Sequence, residues 1–471
     1  MSETLRLRND ALAIWKAGVE AAGSERLIHQ ALHVEGARLR VGDQTVDLEA
    51  IDRIAVIGAG KAGAGMAAAV EEVLGPRLLR QKRVTGWVHV PDDCLRPLSH
   101  IHLHPARPAG VNEPTEAGVA GALHMLQLVA SLGPRDVCLA LWSGGGSALL
   151  PAPAEGITLA DKLAVTRFLS AAGANIEELN TVRKQLSRIK GGKLAQACRA
   201  GWLISLVISD VLGDPLEVIA SGPTVPDSST PQAALDILQR FGGLSGGVLS
   251  RVIQYLQVQA GLPPAQQAGA PQPCGGPRNA SPPPPCRVSH CVVGNNATAV
   301  AAAGKEAQRR GYTPTLVAPT RCEGLADEVG RHLAEQALAM RAGSGADCVV
   351  SGGEPVVRLV EPPLRGLGGR NQQLVLAAAQ HLWEDGARGI AILSGGTDGE
   401  DGPTDAAGAF LDAQVLAAAR SQGLHPEGFL ARNDAYHFFA PLGALVRTGP
   451  THTNVCDLRV VVVDRRAAKA P

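Results

Sequence analysis

One arrangement recurs along this chain: a short apolar run rich in Val and Ile, a glycine-rich turn, and an Ala-rich segment with helical periodicity. The recurrences begin at Ile54, Val137, Leu203, Cys291, Cys348 and Ile390. Alternation of strand and helix is typical of a parallel sheet with helices on both faces. We therefore expect an α/β protein with largely parallel, Rossmann-like sheets.

The length of the chain predicts more than one domain. A chain of 471 residues exceeds what a single hydrophobic core usually organises, so two domains are expected. Residues 261–287 are rich in Pro and Gly, and such a tract cannot bury a core. We predict an N-terminal domain over 1–245, a linker or insertion over 246–290 and a C-terminal domain over 291–471.

Charge and cysteine usage exclude several classes of protein. The formal net charge is +0, from 44 basic and 44 acidic residues, and no basic stripe suggests nucleic-acid binding. The nine cysteines are scattered and never spaced as C-x-x-C, so a zinc site or a disulfide framework is not expected. The N-terminus has no apolar core of a secretory signal, and no run of about 20 apolar residues predicts a membrane span. We expect a reduced, cytoplasmic protein.

Glycine-rich turns follow several of the predicted strands. Ser-Gly-Gly occurs after a strand at Ser143, Ser351 and Ser394, and further polar loops follow at 58–63 and 209–214. Ligands of open α/β sheets bind beyond the carboxyl ends of the strands. The sequence therefore predicts that these loops converge on one cleft.

The first glycine loop satisfies G-x-G-x-x-G through Gly58, Gly60 and Gly63. A helix that starts there offers backbone N–H groups and a positive dipole end to an anion. The motif alone fits a dinucleotide site, a phosphate or carboxylate cradle, or tight helix–strand packing. Lys61 lies inside the turn and favours an anion, with a solvated surface lysine as the alternative.

A second candidate cradle comprises Ser143, Gly144, Gly145, Gly146 and Ser147. Successive glycine N–H groups can form a concavity that binds anions. Ser147 has the chemistry of a nucleophile, but its surroundings do not form G-x-S-x-G, and no His and Asp are placed to activate it. Backbone binding of a phosphate or a carboxylate is therefore the favoured interpretation.

A cationic run follows in the sequence. It contains Arg183, Lys184, Lys190 and Lys193. Such runs usually form a solvated helix face. Lys190 directly precedes a Gly-Gly pair, which is unusual for such a face, so we assign Lys190 to the binding site.

Carboxylates end the strand that begins at Leu203. Asp210 and Asp214 are placed to bind Mg²⁺ or to accept a proton from an attacking hydroxyl. An Asp that caps the following turn is the alternative, and for Asp214, which precedes Pro215, the two interpretations are equally supported.

The C-terminal half contributes further candidates. Glu354 follows Ser-Gly-Gly, and Arg370 precedes an Ala-rich helix, where a guanidinium suits planar recognition of a carboxylate or phosphate. The glycine-rich loop 394–405 contains four carboxylates, of which Asp398 and Asp401 are candidates for Mg²⁺ or substrate hydroxyls. The calcium-loop pattern D-x-[DN]-x-[DN]-G is not met, and turn chemistry explains some of these residues equally well.

Taken in order, these segments resemble the class II glycerate kinases, whose C-terminal part is called MOFRL. The segments that carry the resemblance are GAGKAGAGM, SGGGSALLPAP, ELNTVRKQLSRIKGGKLA, ISDVLGDPLEVIASGPT, SGGEP, GGRNQQLVLA, SGGTDGEDGPTDAAGA and NDAYHFF. They extend from about Leu12 to the last predicted strand and leave 261–287 outside.

The resemblance implies a two-domain enzyme with its active site in an interdomain cleft. It implies phosphoryl transfer from ATP to D-glycerate, giving 2-phosphoglycerate, with Mg²⁺ as the divalent metal. Lys61 and Arg370 match cationic catalytic positions of the family, and Asp210, favoured over Asp214, matches its acidic position. Small-molecule ligands are implied, and the assembly is left open, with a homodimer as the expectation. His452 departs from the family, where Gly is common.

Two other functions stay open at the level of sequence. An NAD(P)H-dependent hydroxypyruvate reductase would explain G-x-G-x-x-G, but it needs a carboxylate about 20 residues on, and Asp92 and Asp93 come late. A non-catalytic sugar-acid-binding protein would not need Asp210 or a metal. The chain contains no G-x-x-x-x-G-K-[ST], so ATP would bind in a cradle other than a P-loop.

Overall fold

The computed structural model describes residues 2–111, 113–243, 249–262 and 286–466. These residues form two compact units. The N-terminal unit comprises Ile28–Val207 and Pro215–Cys291, and the C-terminal unit comprises the residues up to Leu27, Ile208–Asp214 and the residues from Val292 onward.

The strands, in chain order, are β1 (Leu32–Glu35), β2 (Arg38–Val41), β3 (Gln44–Asp47), β4 (Arg53–Ala59), β5 (Thr85–Pro91), β6 (Ile101–Arg107), β7 (Asp136–Trp142), β8 (Trp202–Ile208), β9 (Arg287–Gly294), β10 (Pro314–Val317), β11 (Cys348–Gly353), β12 (Ile390–Gly396), β13 (Gly408–Asp412), β14 (Leu445–Val446) and β15 (Asp457–Val463).

The helices are α1 (Glu3–Ala21), α2 (Ser24–Ala31), α3 (Gly63–Gln81), α4 (Glu116–Ala130), α5 (Gly146–Leu149), α6 (Leu159–Ala171), α7 (Ile176–Gln185), α8 (Lys193–Ala197), α9 (Pro231–Arg240), α10 (Ser250–Gln259), α11 (Asn296–Arg309), α12 (Ala326–Ala342), α13 (Arg370–His381), α14 (Ala413–Ser421), α15 (Pro426–Leu430) and α16 (Ala435–Phe439).

The main sheet of the N-terminal unit has the strand order β6-β5-β4-β7-β8-β9. The pairings from β6 to β8 are all parallel. Every residue of β7 is buried, as expected of a parallel strand covered on both faces. A separate antiparallel sheet is formed by β1, β2 and β3. The α/β class predicted from the sequence is confirmed.

The sheet of the C-terminal unit is mostly antiparallel, which corrects the prediction of largely parallel sheets in both domains. Its order is β10-β11-β15-β12-β13-β14, and of these pairs β10 and β11 are parallel while the others are antiparallel. The last strand, β15, inserts between β11 and β12 and runs opposite to both. The strand–turn–helix pattern in the sequence does not report this late insertion.

The first helix belongs to the C-terminal unit, so the division into 1–245 and 291–471 does not describe the compact units. Trp15 of α1 is fully buried, and its Nε1 donates to the carbonyl of Gly395 at 3.4 Å. Arg8 forms a bidentate ion pair with Asp412, with N···O distances of 2.6 and 3.0 Å. These contacts bind α1 to β12 and β13, far along the chain.

The predicted linker over 246–290 is also partly ordered structure. It contains α10 and the first part of β9. Val252 and Leu256 of α10 are buried in an apolar cluster with Leu169, Val182 and Leu238. These apolar residues explain why a helix forms there, while 263–285, the rest of the Pro/Gly-rich tract, lies outside the described residues.

Among the helices of the described residues, none is both long and apolar enough to span a membrane.

Candidate functional site

The two predicted glycine cradles lie together in the N-terminal unit. Lys61 N donates to the carbonyl of Gly144 at 2.9 Å, and Ala62 N donates to Ser143 Oγ at 3.1 Å. Gly60 has φ of +145°, and a Cβ atom at Gly60 would overlap Ser143 Oγ. The loops after the adjacent strands β4 and β7 therefore interlock, as their parallel pairing allows.

The other two glycines of the first motif have packing roles. A Cβ at Gly58 would lie 2.5 Å from the carbonyl oxygen of Leu141, and one at Gly63 would lie 3.0 Å from Val88 Cγ1. Of the three interpretations of G-x-G-x-x-G, close packing of a helix and its neighbouring strands therefore accounts for these two positions. Ligand binding by Gly58 and Gly63 stays a prediction.

Two basic side chains lie beside Gly145. Gly145 has φ of +77°, and a Cβ there would lie 3.8 Å from Lys61 Cγ and 3.5 Å from Arg107 Nη2. Burial raises the pKa of the Cys94 thiol to about 11, while Lys61 and Arg107 both oppose that rise. Arg107, the last residue of β6, was not predicted from the sequence, because no motif surrounds it.

Lys190 also reaches the second cradle. Its Nζ lies 2.8 Å from the carbonyl oxygen of Ser147 and 2.5 Å from Ser147 Oγ. Ser147 Oγ and Ser221 Oγ are 2.9 Å apart. Burial lowers the pKa of Lys190 well below its ordinary value, and Lys162 and Arg183 lower it further. Ser221, from the turn after Asp214, was not predicted as a site residue.

The loop after β8 lies in the C-terminal unit. The carbonyl of Asp210 accepts a hydrogen bond from Cys456 Sγ at 3.1 Å. Asp214 has φ of +55°, and its Oδ2 accepts from Asn295 Nδ2 at 2.6 Å. Asn295 caps α11, so Asp214 contributes to the structure of this turn. Binding of Mg²⁺ by Asp210 and Asp214 stays a prediction.

Among residues 2–111, 113–243, 249–262 and 286–466, no group of three or more His, Cys, Asp or Glu residues is arranged to hold a metal ion by itself. A Mg²⁺ ion that serves phosphoryl transfer commonly has only one or two carboxylate ligands, because phosphate oxygens and waters complete its shell.

Arg370 begins α13 and is held between two carboxylates. Its Nε and Nη2 donate to Asp457 Oδ2 and Oδ1 at 2.7 and 3.0 Å. Its Nη1 lies 3.1 Å from Glu354 Oε1. Burial raises the pKa of Glu354, and Arg370 opposes that rise. Asp457, fully buried at the start of β15, was not predicted, although an Asp opening an apolar strand is itself a signal.

Asp401 caps the same helix. Its Oδ1 accepts from Asn371 N at 2.9 Å and its Oδ2 from Gln372 N at 2.8 Å. Burial raises the pKa of Asp401 to about 7, against the effect of these two N–H donors. These hydrogen bonds give Asp401 a structural role at the start of α13. Asp398, in the same loop, adds repulsion that raises the pKa of Glu354.

The predicted residues of the C-terminal unit share one neighbourhood. Burial raises the pKa of the Cys456 thiol, and the charges of Glu354, Asp210, Asp457 and Arg370 all act on that thiol. In the N-terminal unit, Lys61, Lys190 and the loop 143–147 are likewise grouped. A single crevice containing Lys61, Asp210 and Arg370 stays a prediction.

Comparison with known sequences shows which family the chain belongs to. Residues 10–257 match a family described as a domain of unknown function (DUF4147), and residues 347–457 match the MOFRL family. Glycerate kinase of Homo sapiens is 35% identical over 99% of this chain and 95% of its own length. The chain belongs to the glycerate kinase family. The resemblance inferred from the sequence is thereby confirmed.

Bacterial members of this family are similar over nearly the same length. D-glycerate 2-kinase of Thermotoga maritima is 34% identical over 97% of this chain and 98% of its own. A crystal structure of glycerate kinase from that organism superposes with a TM-score of 0.78, 32% identity, and coverage of 98% and 100% of the two chains. An Agrobacterium vitis protein named for hydroxypyruvate reductase is 40% identical over 87% of this chain and 99% of its own.

Proposed function

We propose that this protein transfers the γ-phosphoryl group of ATP to D-glycerate and forms 2-phosphoglycerate. The observation that carries the proposal is the turn at Gly144–Gly146, which has the Lys61 and Arg107 side chains beside it and is interlocked with the loop after β4. Phosphoryl transfer depends mainly on positioning and on charge neutralisation, for which a glycine turn next to two basic residues is suited. Relatives named glycerate kinase and D-glycerate 2-kinase support the same activity.

The catalytic roles follow from the chemistry of each side chain. Lys61 neutralises charge on the phosphates. Arg370 recognises the carboxylate of glycerate, with Asp457 fixing the plane of the guanidinium. Asp210 accepts the proton of the attacking hydroxyl or, as a carboxylate, contributes to the metal site.

The donor chemistry at the end of β8 fits Mg²⁺. Carboxylate oxygens are the ligands that this ion prefers, and it binds through one or two of them together with phosphate oxygens. Asp214 accepts a hydrogen bond from Asn295 Nδ2, so at least part of its role is structural. When bound, Mg²⁺ would neutralise charge on the phosphates.

A second candidate function is the NAD(P)H-dependent reduction of hydroxypyruvate. The name of the Agrobacterium vitis relative favours keeping it as an alternative. A lysine inside the first glycine turn is unusual for a dinucleotide site. The two reactions consume different cosubstrates, so a single set of assays separates them.

The decisive experiment combines Mg-ATP, D-glycerate and purified protein and follows the products by phosphorus NMR. We expect ADP and a phosphate monoester on carbon 2 of glycerate. Oxidation of NADH by hydroxypyruvate without any ATP turnover would replace the proposal by the alternative. Lys61→Ala should lose turnover, whereas Lys305→Ala, at an exposed position of α11, should keep it.

The catalytic role of Asp210 is tested by Asp210→Asn. If the proposal is correct, this variant binds glycerate but turns it over at least about 100-fold more slowly, as expected for loss of a proton acceptor. Unchanged turnover would remove Asp210 from the catalytic group.

A further inference from the structure

A serine–lysine–serine cluster in the N-terminal unit has a geometry that phosphoryl transfer does not require. Ser147 Oγ lies 2.5 Å from Lys190 Nζ and 2.9 Å from Ser221 Oγ. The sequence suggests no base for Ser147, because it contains no His or Asp at a suitable position. The fold supplies one from a lysine 43 residues further along the chain.

The hydrogen bonds around Lys190 are consistent with a neutral amine. A neutral amine has two N–H donors and one lone pair. The carbonyl of Ser147, at 2.8 Å, and Ser221 Oγ, at 3.4 Å, can accept the two donors. The lone pair is then left to accept the hydroxyl proton of Ser147. Ser221 Oγ in turn donates to Asn180 Oδ1 at 3.3 Å, which orients it.

The surroundings of Lys190 disfavour its charged form. Lys190 is 4% exposed. The charged groups that act on its amine are Lys162 of α6 and Arg183 of α7. Burial is the main cause that lowers the pKa of Lys190, and repulsion from Lys162 and Arg183 lowers it further. A lysine whose charged form is disfavoured in this way is suited to act as a general base.

The backbone next to the cluster adds a second sign of specialisation. Ala220 and Ser221 have φ of +51° and +61°, in the left-handed region that non-glycine residues rarely adopt. This conformation brings the fully buried Ser221 side chain to Ser147 and Lys190. Ser147 itself is only partly buried.

We propose that Ser147 is an activated nucleophile, with Lys190 as its general base, and that it accepts the acyl group of an activated ester of a small carboxylic acid. Ser147 Oγ forms a bond to the carbonyl carbon, and its proton moves to Lys190 Nζ. The bond from that carbon to the leaving oxygen breaks, and Lys190 returns the proton to the leaving group. Water then attacks the acyl-serine ester, releasing the carboxylic acid and restoring the Ser147 hydroxyl.

This activity is separate from the proposed kinase reaction, in which Ser147 would only donate or accept hydrogen bonds. It is tested with a fluorophosphonate, which reacts with activated serines by forming a P–O bond and losing fluoride. Wild-type protein should gain one phosphonyl group per chain, and peptide mapping should place it on Ser147. Protein unfolded in urea should not be labelled, since the cluster is then absent.

Matched variants separate activation from mere exposure. Ser147→Ala should abolish labelling, and Lys190→Met should slow it at least about 100-fold, the usual contribution of a general base. Ser170→Ala and Lys305→Met, at exposed positions, should label like the wild type. Each variant is first checked for an unchanged circular dichroism spectrum.

The proposal is overturned if folded wild-type protein is not labelled, or if the label maps to a serine other than Ser147. It is equally overturned if folded Lys190→Met reacts at the wild-type rate. Hydrolysis of p-nitrophenyl acetate, with a burst of one nitrophenolate per chain, is the expected catalytic counterpart, and the burst should disappear in Ser147→Ala.

Discussion

Arg370 has a structural partner as well as a proposed substrate. Asp457 is fully buried and accepts two hydrogen bonds from the guanidinium, and Asn371 Nδ2 donates to its Oδ1 at 3.0 Å. Removing one member of such a pair leaves the other charge buried and unpaired, which is costly. Loss of activity in an Arg370 variant therefore does not by itself distinguish catalysis from folding.

A double substitution makes that distinction. Arg370→Ala should lower the free energy of unfolding by about 3 kcal/mol, at the low end for a buried pair because the Arg370 side chain is 35% exposed. Adding Asp457→Asn should restore more than half of that loss. Urea unfolding measures the free energy of unfolding of the single and the double variant. If Arg370 binds glycerate, turnover stays absent in the stabilised double variant; recovery of turnover would make its role purely structural.

Asp401 links the ionisation of the C-terminal unit to its stability. Burial raises its pKa to about 7, compared with about 3.9 for an ordinary Asp. Between these two values the folded state keeps a proton that the unfolded state has released, so stability falls as the pH rises. Above about pH 7 Asp401 is ionised in both the folded and the unfolded protein, so stability falls no further from this cause.

The pH dependence of Asp401→Asn tests this assignment. Relative to that variant, wild-type protein should lose up to about 4 kcal/mol of stability as the pH rises from 4 to 7, at 1.36 kcal/mol per unit of pKa shift. Asp405→Asn is the control, because Asp405 is exposed and Arg447 lowers its pKa. The difference in stability between wild type and Asp405→Asn should therefore not change with pH above pH 5. A flat difference for Asp401→Asn would show that Asp401 is ionised throughout.

At the scale of single residues, sequence analysis recovers side chains that lie in local motifs. Lys61, Lys190 and Arg370 were assigned in this way, and Lys190 does contact the second glycine loop. Arg107 and Asp457 were missed because each is a single charged residue at one terminus of a strand, outside any local motif. Their neighbours are distant in sequence, and only the sheet order brings them together.

At the scale of elements, the loops after β4 and β7 act as one unit. Glycine is required at position 60 for two reasons: the residue has a positive φ, and any side chain would overlap Ser143. The G-x-G-x-x-G motif thus reports the contact between two loops as well as the start of a helix. The sequence could not show this, because the partner loop lies about 80 residues further on.

Gly60→Ala should be strongly destabilising. We expect a loss of at least about 3 kcal/mol, from backbone strain together with displacement of the Ser143 loop, and loss of kinase turnover with it. Gly428→Ala in α15 is the control, because a Cβ there meets no atom within 4 Å and Ala favours a helix. Thermal unfolding of both variants tests the prediction; equal stability would mean that the two loops can separate without cost.

Patterns of strands and helices predicted the α/β class but not the direction of every strand. The run of Ala-rich helices after apolar segments is the same in both units. In the C-terminal unit, however, β12 is followed by a loop and then β13, without an intervening helix, and β15 returns between earlier strands. Strand direction there depends on long-range pairing, which local periodicity does not encode.

The apolar face of α10 was overlooked because its surroundings are rich in Pro and Gly.

At the scale of the whole molecule, the chain passes between its two units four times. It does so after Leu27, Val207, Asp214 and Cys291. The C-terminal unit therefore contains three separate stretches of the chain, including α1 with its buried Trp15. Stability of that unit should depend on residues near the start of the sequence.

Trp15→Ala tests this dependence. Removal of a fully buried Trp should cost about 3–5 kcal/mol. Hydrogen exchange should accelerate in β12 and β15 before it does in β4 and β7. Leu5→Ala, at an exposed position of the same helix, should change stability by less than about 0.5 kcal/mol. Faster exchange in β4 alone would contradict the assignment of α1 to the C-terminal unit.

The placement of α1 also affects how the protein is made. The helix leaves the ribosome early, but its packing partners in β12 and β15 are translated roughly 400 residues later. At 5–20 residues per second, its apolar face waits about 20–80 s for them. During that interval Ile14 and Trp15 are exposed to solvent or to chaperones, so the yield of soluble protein should depend on elongation speed and on holdase capacity.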